Sequence, residues 1–218
     1  MVTLSYSSLN ILHTCPHNWL NKQMGIPQPE KPEWEIGKKI HRIIQDHVSG
    51  KKLDPRFRHI KYTFPIVEEV DFDPRCKFEF NLDWSAAKIK KVPSGTYRMI
   101  GFTDGLNFEK KRYVEIKSAD PLWSLIRFKN SEQRKIHAIA WPELEEAVLI
   151  TCSKYMDKWK REPAKIYKVP LTQQDRAEAL YWIVGGIRIL ESGNFTTDLK
   201  DGKCTDNWCY WGENCQFK

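Results

Sequence analysis

The chain has 218 residues, 41% of them hydrophobic, and 10 Phe with 9 Trp can fill the core of a single domain of generous size. Lys and Arg total 35 against 28 Asp and Glu, a formal charge of +7 that suits a polyanionic partner but also suits many soluble proteins that touch no nucleic acid. No apolar run approaches the ~20 residues of a membrane span, and no basic stretch followed by an apolar core opens the chain, so neither a span nor a secretory signal is read.

Tyr6, Ser7 and Ser8 offer helix caps ahead of Leu9, Ile11 and Leu12, and Cys15-Pro16 interrupts before a second short helical stretch around Trp19 and Leu20. Pro27, Pro29 and Pro32 make 25–32 a loop or strap. Residues 34–48 read as a helix, with Ile36, Ile40, Ile43, Ile44 and His47 at helical spacing and His41 on the flank of that apolar face. Gly37, one turn earlier, leaves room for a backbone or a substrate where the imidazole emerges. From 61 to 117 the pattern turns to short alternating runs, predicting strands at 62–64, 77–82, 97–102 and 113–117. A helix is predicted over 131–141, strands over 147–152 and 165–169, and a long helix from about Thr172 to Gly193. A polar tail with three cysteines follows. The expected fold class is mixed α/β: one domain with a helical segment at 1–33, a core at 34–192 and a tail at 193–218.

In 113–117, strand alternation sends Val114 and Ile116 to one face and Glu115 and Lys117 to the other, roughly 6 to 7 Å apart. By itself a Glu-x-Lys tripeptide describes a solvated charge pair. Asp104, followed by Gly105 at the end of the preceding run, gives it company. If 109–112 turn a hairpin, Asp104 comes near Glu115, and two hard carboxylates are what Mg²⁺ or Mn²⁺ takes. The plain alternative is an Asp-Gly turn with no ligand role. His41 would add an imidazole, more congenial to Mn²⁺, although a lone histidine beside an apolar helix face is more often a packed, hydrogen-bonded residue.

Six cysteines in a reducing compartment read as ligands or core residues rather than disulfides. Cys76 and Cys152 lie in apolar strand patterns and read as core. Cys15, Cys204, Cys209 and Cys215 remain, a set able to ligate either a tetrahedral Zn²⁺ or a 4Fe-4S cluster. The segments 123–129 and 155–161 mix aromatic and basic residues. They offer stacking beside phosphate-neutralising charge, or else amphipathic stretches whose aromatics pack inward.

Gly37-x3-His41, Gly101-x2-Asp104 and Glu115-x-Lys117, in this order on helix, strand end and strand, resemble the RecB-like branch of the PD-(D/E)xK nucleases, over about 5–215. That branch carries a helical Gln-x3-Tyr motif next; here Gln133-x3-His137 stands in its place, with histidine for tyrosine. One upstream and three C-terminal cysteines are similar to the iron-sulfur members, among them the CRISPR-associated adaptation exonucleases and related phage nucleases.

The resemblance implies a restriction-endonuclease-like core, a central mixed sheet flanked by helices. It makes His41, Asp104, Glu115 and the Ile116 carbonyl ligands of Mn²⁺ or Mg²⁺, and Asp104, Glu115, Lys117 and Gln133 the catalytic residues. Cys15, Cys204, Cys209 and Cys215 would hold a 4Fe-4S cluster, with Zn²⁺ as the alternative, and clasp the two ends of the chain. The implied activity is exonucleolytic hydrolysis of single-stranded DNA ends in a prokaryotic or phage-infected cytoplasm, beside a helicase, recombinase or CRISPR adaptation partner. The other expectation is a non-catalytic nucleic-acid-binding protein on the same scaffold, its cysteines binding zinc.

Overall fold

The computed structural model describes residues 2–27, 32–52, 63–81, 97–193 and 195. They fall into two compact units, one from Met1–Lys31, Asn81–Ile100 and Leu180–Lys218, the other from Pro32–Phe80 and Gly101–Ala179.

In the first unit, β1 (Val2–Leu4) pairs in parallel with the opening residues of β3 (Tyr97–Asn107), Val2 opposite Tyr97 and Leu4 opposite Met99. Helix α1 (Tyr6–Thr14) starts at Ser5, one residue before the predicted caps, through a reciprocal box. Its Ser8 N–H donates to the Ser5 hydroxyl at 3.2 Å, and the Ser5 N–H donates to the Ser8 hydroxyl at 2.7 Å. Cys15 divides α1 from α2 (Pro16–Gln23), whose first turn accepts Pro16 because an N–H there would have no intrahelical acceptor, so no helical hydrogen bond is lost. Gly186 of α7 (Gln173–Ser192) lets α1 lie close: an added Cβ would sit 2.6 Å from Leu9 Cδ2. His13 stacks on Trp182, and its Nε2 meets the Trp182 carbonyl at 2.8 Å.

The second unit is built on the later part of β3 with β2 (Asp73–Asn81), β4 (Arg112–Ser118), β5 (Glu146–Cys152) and β6 (Lys165–Pro170). β2 pairs with β3; β3 and β4 are antiparallel, β4 and β5 parallel from Arg112↔Glu146 to Ser118↔Cys152, and β5 and β6 antiparallel. β5 is buried along its length after Glu146, as a strand covered on both faces must be. Each of Val148, Leu149 and Ile150 contributes about 1.5–3 kcal/mol by that burial.

On one face, α3 (Pro32–Val48) and α4 (Phe64–Val70) press Ile40, Ile43, Ile44, Val67 and Val70 onto Val114, Ile116, Val148 and Ile150. On the other, α5 (Leu125–Lys129) and α6 (Glu132–Ala140) bring Phe128 and Ala138 against Leu106, Tyr113, Ala147 and Leu149. The protein is therefore a mixed α/β fold with a mixed sheet flanked by helices.

Three local expectations change. Phe64, predicted in a strand, opens α4, because Pro65 in its first turn fixes a helical φ and lacks an N–H to give a sheet. The Tyr62 and Leu82 ends of two predicted strands lie outside the described residues. β3 runs on to Asn107, so Asp104 lies within the strand rather than at its end, and the hairpin turn is 108–111, with Lys111 at φ 49°. β1, α5 and a 3₁₀ turn at Met156–Lys160 were too short for their periodicity to register. Among the described residues no helix is long and apolar enough to cross a membrane.

Candidate functional site

Helix α3 carries His41 to the sheet. Ile40 and Ile44 are fully buried, so His41 on the flank of their stripe stands at the border of the contact with its side chain 27% exposed. Gly37 faces the end of β4, where an added Cβ would lie 3.4 Å from Ser118 Oγ, an ordinary contact. The space left at Gly37 is thus met by a side chain of the protein itself.

β3 supplies Asp104 where it parts from β4. Regular pairing runs from Asn107↔Arg112 to Gly105↔Val114. Beyond that, side chains take over the ladder: the Thr103 hydroxyl donates to the Val114 carbonyl at 3.0 Å, and Asp104 Oδ2 accepts the Ile116 N–H at 2.8 Å. A buried N–H left without an acceptor would cost about 1–3 kcal/mol, so the carboxylate replaces the missing strand and is fixed by doing so. In a strand the N–H and C=O of one residue point the same way, which turns the Ile116 carbonyl toward Asp104 as well. Asp104 Oδ1 faces His41 Nδ1 at 3.2 Å and accepts from Gln45 Nε2 at 3.4 Å.

β4 then presents Glu115, buried, and Lys117, half-buried, on the face opposite Val114 and Ile116. The Lys117 ammonium meets Glu115 Oε1 at 2.5 Å, donates to Gln133 Oε1 of α6 at 2.9 Å, and lies 5.3 Å from the centre of the Trp123 ring. The two carboxylates are pushed apart in acidity. Burial raises Asp104, but the hydrogen bond and charge of His41, the Ile116 N–H and the Lys117 charge together hold it below the usual range. Burial raises Glu115 above that range; Lys117 opposes the rise and the charge of Asp104 adds to it. Two carboxylates, an imidazole and a turned carbonyl are the donor types that Mn²⁺ and Mg²⁺ take. Among the described residues no group of three or more His, Cys, Asp or Glu is already arranged to hold an ion, and Glu115 is turned to Lys117.

No protein-family model and no curated protein matches the sequence. The fold is similar to that of a solved structure called SSO0001, with a TM-score of 0.60 at 16% identity, over 98% of this chain and 86% of that one. At that identity the likeness is one of fold.

His41, Asp104, Glu115, Ile116, Lys117 and Gln133 are thus neighbours in the second unit. His137 is not a second polar arm beside Gln133. It is buried between Phe78, Tyr113 and Trp141, with a backbone hydrogen bond to Phe102 and no partner for Nδ1 among the described residues. Gln45 and Thr103 escaped the sequence reading. Gln45 stands one helical turn after His41, a spacing that could have revealed it; Thr103 acts only through the parting of β3 from β4, which no local pattern announces.

In the aromatic and basic segments, Trp159 and Phe128 pack inward, while Trp123 stays half-buried with Arg127 4.2 Å over its ring. Cys152 is a core thiol pushed up to about 12 by burial, and Cys76 is half-buried at the edge of a core, its thiol donating to the Asp73 carbonyl at 3.7 Å. Cys15 is buried and stands at the N-cap of α2. Cys204, Cys209 and Cys215 lie outside the described residues.

Proposed function

We propose that the chain is a metal-dependent DNA nuclease with a PD-(D/E)xK core, acting as an exonuclease on single-stranded ends. The observation that carries this reading is Asp104, locked by the Ile116 N–H where β3 leaves β4, beside His41 and the Glu115–Lys117 pair. His41, Asp104, Glu115 and the Ile116 carbonyl would hold Mn²⁺ or Mg²⁺, and the bound ion would supply a lowered pKa for water and charge neutralisation at the phosphate.

The protein's own residues then divide the remaining work. Gln45 and Ile116 fix the Asp104 carboxylate, and His41 with Lys117 keeps it ionised. Gln133 holds the Lys117 ammonium from α6, placing a positive charge for the phosphate as its charge grows in the transition state. Cys15 with Cys204, Cys209 and Cys215 would carry a 4Fe-4S cluster with a structural role. The stacking of Phe195 on Trp19, one turn after Cys15, supports a return of the C-terminal segment to that place.

The test is cleavage of end-labelled single- and double-stranded DNA with Mn²⁺ or Mg²⁺ by wild type and Lys117→Ala. Expected is metal-dependent shortening from single-stranded ends, reduced about 10²- to 10³-fold in the variant with DNA affinity unchanged. Equal loss of binding and cutting removes the role given to Lys117. The turn of Glu115 toward Lys117 favours one rival, a non-catalytic DNA-binding protein on the same scaffold. That rival is established by DNA binding without cutting in folded, metal-supplied wild type.

A further inference from the structure

The site opens on a groove of about 770 Å³, whose lining includes His41 and Asp104 together with Lys38, Arg42, Arg75 and Phe102. Phe102 is 61% exposed although it stands inside β3, between Gly101 and the buried Thr103. One exposed aromatic is unremarkable on a protein surface. Here it shares a concave surface with cations and with the carboxylate proposed to act on phosphate.

Around it stand the cations Lys38, Arg42, Lys51 and Arg75 and the carboxylates Asp46 and Asp104, and Lys38 pairs with Glu35 at 2.6 Å. Lys51 pairs with Asp46 at 2.8 Å and Arg42 approaches the same carboxylate at 3.9 Å, while Arg42 itself is 85% exposed. Arg75 is exposed, has no ion pair among the described residues, and is held at φ 59°, a left-handed backbone that an arginine adopts at a cost.

We infer that this groove is the track of a single DNA strand, with a base stacked on Phe102 and the flanking phosphates against Arg42 and Arg75. The inference rests on the nuclease reading for its choice of DNA and of the strand's direction toward Asp104. A flat ring beside separated cations fits an unpaired strand, which offers a π-face at every base and a charge at every phosphate. A duplex offers only the charges, because its bases are already stacked on one another.

The experiment is fluorescence anisotropy, without divalent metal, of a labelled single-stranded DNA, the matching duplex and the matching RNA on wild type, Phe102→Ala, Phe102→Trp and Arg75→Ala. Expected is a loss of about tenfold in single-strand affinity for Phe102→Ala, recovery in Phe102→Trp and no change on the duplex. Arg75→Ala should lower the slope of log affinity on log salt by about one. Single-strand binding unchanged in Phe102→Ala, or weakened equally on the duplex, overturns the proposal; tighter binding of the RNA overturns the choice of DNA.

The same preparations, assayed for cutting with Mn²⁺, separate this inference from the function it rests on. Phe102-dependent single-strand binding without any cutting leaves the track and removes the nuclease. Cutting with Phe102-independent binding leaves the nuclease and removes the track.

Discussion

His137 sits among Phe78, Tyr113 and Trp141, and burial pushes its pKa down to about 4 from an unfolded value of 6.5. Between those values the unfolded chain takes a proton that the folded one refuses, so stability must fall as pH falls from 6.5 toward 4 and be unaffected by this group above 6.5. At 1.36 kcal/mol per unit the loss reaches roughly 3 kcal/mol. Urea unfolding at pH 7 and pH 4.5 should show that His137→Phe removes most of this difference; an unaltered difference would show the imidazole is not buried as described. Gly105 is a second residue-scale test. A Cβ there would lie 2.0 Å from Phe72 Cδ2, so Gly105→Ala should cost about 1–3 kcal/mol in the same measurement, and an unchanged urea midpoint would contradict the close approach.

Among the elements, α6 is anchored by a buried charge in addition to its apolar contacts through Ile136 and Ala138. Arg134, 2% exposed, donates to the Lys129 carbonyl at 2.8 Å, to the Pro170 carbonyl at 3.3 Å and to both carboxylate oxygens of Asp175. Asp175 also receives the Thr172 N–H, which starts α7. Since α6 presents Gln133 to Lys117, this buried pair sets the helix that positions the candidate catalytic lysine. Arg134→Leu strands the Asp175 carboxylate and should destabilise by about 3–5 kcal/mol, read by urea unfolding. A loss below 1 kcal/mol would mean that α6 is held by its apolar contacts alone.

For the whole molecule, Cys15 and Phe195 belong to one unit, which is where the proposed cysteine clasp would act. Anaerobically purified protein should carry iron and acid-labile sulfide in cluster proportion and lose them in Cys15→Ser. Its Tm should fall by about 2–4 °C for each kcal/mol of stability lost. Zinc in place of iron would assign a tetrahedral site, and neither metal would remove the clasp.

The sequence by itself determined the elements with long, regular periodicity. α3, α6, α7, β4, β5 and β6 lie where their apolar residues recur, and Glu115 and Lys117 share a face because strand alternation leaves no other choice. It also singled out His41, Asp104 and Gln133, though on short motifs whose spacing says nothing about distance. The tertiary structure decided which of them meet. Asp104 reaches the Ile116 N–H because β3 joins β4 only from Gly105 onward, and Lys117 reaches Gln133 because α6 is docked by Ala138 as well as by Arg134. The same packing buried His137 and left Phe102 in the groove, reversing the exposure that polarity alone would assign. A side chain's polarity sets the cost of burying it, but the neighbours brought together by distant parts of the chain decide whether that cost is met.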